Sequence, residues 1–323
     1  MYIHKTAGFI LALIVMMACE STTKTKVFTE AEITSEVEKL NVFFQKSFDD
    51  DLNRQPEFLT YLGNKKDQDK WDNISPERGA EDLQIIKDEL RWIKDSSNAG
   101  ALTADAKTSY DLFIYNAERS IRNYEYRLYN YPVNQMFGAH SGKPAFLINM
   151  HRINNVEDAE AYISRLNGIK PLFVQLIANL QTREDNGIVT PKFVFPKVIQ
   201  DCKNLLEGQP FTKGKPSTLL EDFTTKLDKT TLEADQKKKL IEEANIALKD
   251  SFKPAYLDLI EFLEAQEKRA NKDHGAWKFP NGEAFDSLES YKAGLLKRKD
   301  LFTKNLSKQI LTYALTRPIG FSD

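Results

Sequence analysis

Apolar residues in this chain recur at steps of three and four along most of its length, and that spacing points to helices. Tyr110, Phe113, Ile114, Ala117, Ile121, Tyr124, Leu128 and Tyr131 form one long stripe that Pro132 ends. Leu83, Ile86, Leu90 and Ile93 form a second, and Val37, Leu40, Phe43, Phe44 and Phe48 a third. A stripe of this period covers one helix face and needs neighbours to bury it. Start signals agree with the stripes. Ser75-Pro76-Glu77 supplies a cap, a first-turn proline and an acid at the positive helix end. Thr103 caps the Tyr110 stripe, and Asn155 caps a helix through Ala159, Ile163 and Leu166 that Asn167-Gly168 and Pro171 are expected to break or kink. Pro191 opens a further helix ending near Gly208, Gln209 to Ser217 reads as a loop, and helices follow over about 233–250 and 254–270. Asn271 to Gly282 is polar and turn-rich, and Phe302, Leu306, Ile310, Tyr313 and Ala314 mark a last helix. The strand-like fragments Val189-Thr190 and Phe193-Val194-Phe195 are flanked by prolines unsuited to a central strand. The fold class is all-α, a multi-helix array.

The first residues bear on location. Lys5 precedes an apolar run from Ala7 to Val15, followed by Met16-Met17-Ala18-Cys19. That pattern is a secretory signal, too short to span a bilayer. The small residue before Cys19 resembles the lipobox of bacterial lipoproteins, in which the signal (1–18) is removed and the cysteine sulfur is acylated. Ordinary cleavage with Cys19 uninvolved, or a short membrane anchor, are the alternatives. Residues 19–31 then form a polar tether. The lipoprotein reading places the chain in the bacterial cell envelope, held by lipid to the outer membrane and facing the periplasm or the cell surface. Its partners are then the membrane, through the lipid anchor, and a peptide or protein. The formal charge of −2 becomes −3 when Lys5, the sole Lys, Arg, Asp or Glu of 1–18, is removed. No basic excess is left to hold nucleic acid.

The residues that could carry chemistry are few. With Cys19 lipidated, Cys202 stands alone, and its helical surroundings mark it as a buried thiol. His140, His151 and His274 remain after signal removal, with no helix-spaced pair among them. Asp49-Asp50-Asp51 lacks the spaced ligands and glycine of a calcium loop and reads as a solvated helix end. Tyr124, Tyr126, Tyr129 and Tyr131 read as core plus rim. Accordingly no catalytic residue, metal ligand or cofactor is assigned. The segment Asn134 to Pro144 concentrates amides, glycine, histidine and lysine between helices, and such loops often carry sites. Its candidate binding residues are Asn134, Gln135, His140 and Lys143. The alternative is a capped connection whose amides satisfy backbone groups.

Several segments resemble a bacterial lipoprotein family known as domain of unknown function 885. They are Phe58 to Gly63, Pro132 to Gln135, Val156 to Leu166, Pro254-Ala255-Tyr256, Phe262-Leu263-Glu264 and Trp277 to Phe285, in order over about 40–285. The resemblance implies a helical relative of zinc metallopeptidases, with metal-binding histidines and a glutamate in a later half of the domain. Nothing after Phe285 resembles that half. Phe279 to Phe285, Leu295 to Asp300 and Leu311 to Pro318 instead resemble domain of unknown function 1585, found at the end of planctomycete-type cytochrome c-like proteins. No Cys-x-x-Cys-His accompanies it, so it implies no haem. The two resemblances give a helical domain over 32–282 and a C-terminal segment over 283–323, joined by natural fusion, gene truncation or an assembly error. They imply a lipid-anchored helical protein that is not catalytic alone. The alternatives are a fragment of, or in-trans partner for, a peptidase-like hydrolase, and a peptide- or partner-binding scaffold.

Overall fold

A computed structural model describes residues 26–270, 277–278, 283–285 and 287–315. Residues 1–18, Cys19 and His274 lie outside the described residues, so the signal, the lipidation site and one histidine are not placed. The tether ends earlier than its expected boundary at 31. Helix α1 (Glu30–Leu52) starts at Glu30, because Thr29 and Glu32 form a capping box that satisfies two free amides. Short helix α2 (Pro56–Tyr61) follows. Helices α3 (Pro76–Ser96) and α4 (Ala104–Asn123) begin at the expected caps Ser75 and Thr103. With α1 they enclose a small core of Leu40, Ile93 and Tyr110, supported by Phe43, Phe44 and Phe113. Phe43 stacks on Trp92 at 4.4 Å.

The large core is built around α6 (Val156–Asp185), whose apolar positions Tyr162, Leu166, Ile169, Phe173 and Leu176 are all buried. Helix α5 (Ala139–Asn149) packs on α7 (Phe195–Leu205) and α8 (Thr218–Asp228). Helices α9 (Ala234–Ala247) and α10 (Lys253–Arg269) pack on α6 and are joined by a π turn, Leu248–Phe252. Burying each large apolar side chain contributes about 1.5–3 kcal/mol, so a helix embedded on most sides tolerates weak local propensity. Asn167-Gly168 and Pro171 therefore do not break α6 as expected. Gly168 is needed there for space: a Cβ would lie 2.9 Å from Trp71 Cδ1. The expected gap before Pro254 is the π turn, a wider coil that moves the carbonyl four residues back away from the proline ring.

Other boundaries differ as well. The Tyr110 stripe does not run as a helix to Pro132: α4 ends at Asn123 and a 3-10 turn, Tyr124–Tyr126, takes over. Tyr126, Tyr129 and Tyr131 are exposed rather than core plus rim. Helix α8 was not expected, and neither was the hairpin of β1 (Trp277–Lys278) with β2 (Ala284–Phe285). The Asp49-Asp50-Asp51 run is a solvated helix end, as read. Cys202 is fully buried and its thiol is pushed up to about 12 by burial. Beyond the hairpin lie α11 (Leu288–Leu296) and α12 (Lys299–Leu315).

Leu301, Phe302, Leu306 and Ile310 of α12 are exposed, and among the described residues neither core contains one after Ala270. A segment that buries so little contributes little to global stability. A variant ending at Ala270 should melt within about 2 °C of the full chain by circular dichroism. A fall of ten degrees or so would show that the C-terminal segment completes the core.

Candidate functional site

One edge of α6 carries polar side chains among its apolar ones. Asp158, Arg165, Gln175, Asn179 and Arg183 fall within roughly a third of the helix circumference. Each captures chain that precedes it, irregular in every case except where Arg165 also reaches α2. The Asp158 carboxylate accepts from Lys65 Nζ at 2.7 Å, Gln68 Nε2 at 2.9 Å and the Asn154 amide at 2.9 Å. Burial alone would raise this carboxyl, but those donors hold it below the ordinary carboxylate value. Gln175 accepts from the Ile74 amide, and Asn179 donates to the Ile74 carbonyl.

Arg165 is fully buried. It donates to the Lys70 and Pro56 carbonyls, to Thr60 Oγ1 and to His151 Nδ1 at 3.1 Å. Its guanidinium lies 5.4 Å from the Trp71 ring centre and 4.9 Å from that of Phe146. Trp71 Nε1 donates back to the Arg165 carbonyl at 2.8 Å. Burial pushes Arg165 down to about 10, against the fields of Glu57, Asp72 and Asp69. Arginine only donates, so His151 Nδ1 accepts, and the ring proton sits on Nε2, which donates to the Asp158 carbonyl at 2.9 Å. Both His151 nitrogens are thus committed.

The expected binding residues separate in the fold. Asn134 serves its own loop: its Oδ1 accepts from the Met136 and Phe137 amides and its Nδ2 donates to the Tyr131 carbonyl. That is the capped connection. Gln135 is exposed. The loop ends at Gly138, and His140, Lys143 and Pro144 belong to α5, contrary to the loop reading. Pro144 has no N–H for the His140 carbonyl, and the buried Tyr256 hydroxyl donates to that carbonyl instead. The helix survives its proline because another helix supplies the donor. His140 is buried with Nδ1 unpartnered, its ring close enough to Gly138 that a Cβ there would meet Nδ1 at 2.5 Å. Burial lowers its pKa, with Asp201 opposing from 3.9 Å.

Lys143 donates to Glu57 Oε1 at 2.5 Å, and the pair lines a cavity of about 470 Å³ beneath the 130–139 chain. Ile74, Phe146 and Leu176 give its lining apolar side chains, and Asn130, Asn179 and Arg183 polar ones. A cavity this size suits a small molecule or a peptide end. The 124–138 chain, which gives Asn130 and Pro132 to the wall, also exposes Tyr126, Tyr129, Met136 and Phe137. Among the described residues, no group of three or more His, Cys, Asp and Glu could hold a metal ion. None of the described helices is long and apolar enough to cross a membrane.

The family described as bacterial protein of unknown function (DUF885) matches residues 56–291. The chain belongs to this family. A second family, protein of unknown function (DUF1585), matches 281–323, overlapping the DUF885 match at the stretch both resemblances share. No curated protein matches the chain. A crystal structure of a "putative lipoprotein" from Colwellia psychrerythraea is similar in fold at 18% identity, with a TM-score of 0.63 over 76% of this chain. This DUF885 chain spans 44% of that protein's length.

Arg165, Trp71, Asn130 and Arg183 were not singled out in the sequence. The signal for the first was an arginine between Ile163 and Leu166, on the apolar side of the helix and away from its exposed stripe of Glu157, Glu160, Ser164 and Asn167. A histidine held neutral in the fold stabilises it above the pKa of the unfolded state, and that stability drains as pH falls through this value. His151 is pushed down from 6.5 to about 4, by burial first and then by Arg165 and Lys226. Unfolding free energy should therefore fall by about 3 kcal/mol between pH 6.5 and 4 from this residue. In His151→Gln, urea titrations over that range should show a shallower decline, with His140 supplying part of what remains. An unchanged slope would contradict the assignment.

Proposed function

We propose that this DUF885 chain is a lipid-anchored, non-catalytic binding protein of the bacterial envelope, tethered at Cys19 and facing the periplasm or the cell surface. The observation that carries the binding reading is the exposed Tyr126, Tyr129, Met136 and Phe137 on the chain that walls the cavity. Exposed aromatic and methionine side chains, two of them in contact at Tyr126–Tyr129, suit interaction with a peptide or protein. The engagement of both His151 nitrogens supports a non-catalytic role, since ligating a metal would cost Arg165 its acceptor or the Asp158 carbonyl its donor.

The span of 44% of the Colwellia protein favours a second reading, in which this chain is part of a longer peptidase-like assembly whose metal motif is supplied elsewhere. Anchoring rests on the residues around Cys19. One acyl chain holds a protein only marginally, so stable attachment requires the several chains of a bacterial lipoprotein. Cys19→Ala should shift the protein from the membrane to the soluble fraction, or leave it uncleaved. Normal cleavage with full membrane retention would refute lipid anchoring.

A further inference from the structure

Two arginines of α6 are buried, and they are compensated differently. Arg165 sits in the field of three carboxylates. Arg183 is 8% exposed, and no carboxylate among the described residues pairs with it. Its donors all go to neutral oxygens: Nε to the Asn130 carbonyl, Nη1 to the Asn179 carbonyl, Nη2 to the Arg127 carbonyl and to Asn130 Oδ1. One Nη1 hydrogen has no partner among the described residues. The C-terminal end of α6 and these carbonyls supply partial negative charge, but no full counter-charge. A buried charge without one is costly. The same side chain lines the 470 Å³ cavity together with Ile74, Phe146 and Leu176.

We propose that this cavity binds a carboxylate carried on a small apolar body, with the carboxylate against Arg183 and the body against Ile74, Phe146 and Leu176. The remaining Nη1 hydrogen can make one charge-assisted bond to a carboxylate oxygen, stronger than a bond to a neutral acceptor. The nearby Lys143 is already paired with Glu57, so Arg183 is the group that lacks an anion. Asn130, whose Oδ1 accepts from Arg183, keeps its amide N–H groups for the same oxygens. The ligand can be a free acid or the C-terminus of a peptide. The proposal rests on the binding reading above and is independent of Cys19 anchoring, so its failure leaves that anchoring intact.

The test is calorimetry on the full chain with 4-methylpentanoate and its amide, and with acetyl-Gly-Leu as acid and as amide. At least one acid should bind, with its amide weaker by about tenfold or more. Binding of the small acid alone identifies free acids as the ligand, and binding of the dipeptide alone identifies a peptide end. Arg183→Gln should abolish the preference for acid over amide. Should that variant not fold, Gly142→Leu serves as the locating variant: Gly142 lines the cavity and a Cβ there meets nothing within 4 Å. It should fill the space and lose binding. Failure of both acids to bind, equal binding of acid and amide, or binding untouched by Gly142→Leu would overturn the proposal and leave Arg183 as a clasp on the 127–130 chain.

Discussion

The Arg165 guanidinium is buried with no carboxylate in direct contact, yet it joins parts of the chain that are far apart in sequence. Its partners come from α2, from the loop at Lys70 and from the turn at His151, and it sits against two aromatic rings that also touch each other. A buried cation in such a place is tolerable only if its donors are used and its surroundings are polarisable. The ring tautomer of His151, the position of Trp71 and the absence of a side chain at Gly168 all follow from that requirement. So does the route of the 56–74 chain, which has little regular structure after α2 and is held along one edge of α6 by Asp158, Arg165, Gln175 and Asn179. At the far end of the same edge Arg183 repeats the arrangement on the 127–130 chain, with a cavity beside it and no counter-charge.

Helix α6 can play this role because it is packed on all but one face, which is exposed. Its apolar residues face α9, the π turn and α10, and its polar edge faces irregular chain. Interiors of this kind override local preference where a neighbour supplies the missing partner. The Tyr256 hydroxyl does so for the carbonyl that Pro144 leaves unpaired. The π turn before Pro254 does the same by geometry. Each is a weak point of the isolated helix that tertiary contact repairs.

Those repairs explain what the sequence disclosed and what it hid. The caps Ser75, Thr103 and Asn155 were legible because cap chemistry is local, within three residues. The first half of α5, up to Pro144, carries Gly and Pro signals that point locally to a loop, while its rescuer Tyr256 lies 116 residues away. Helix α8 has Leu219, Leu220, Phe223 and Leu227 at helical spacing, but over too few turns to stand out beside a Pro/Gly-rich loop. The polar edge of α6 was hidden for a related reason: Arg165 reaches Thr60, 105 residues back, and no spacing rule reports such a partner. Asn134 and Lys143 were found, but Asn134 caps its own loop and Lys143 pairs with Glu57. The missing counter-charge at Arg183 has no sequence signature, since it is a property of what surrounds the side chain.

Native-state hydrogen exchange of the full chain beside Arg165→Met tests the central claim most directly. If Arg165 is the clasp, amides of 56–72 and the Trp71 indole N–H lose protection by about two orders of magnitude in the variant, while α7 and α10 keep theirs. Unchanged protection across 56–72, or an equal loss everywhere, would show that this chain is held by something other than Arg165.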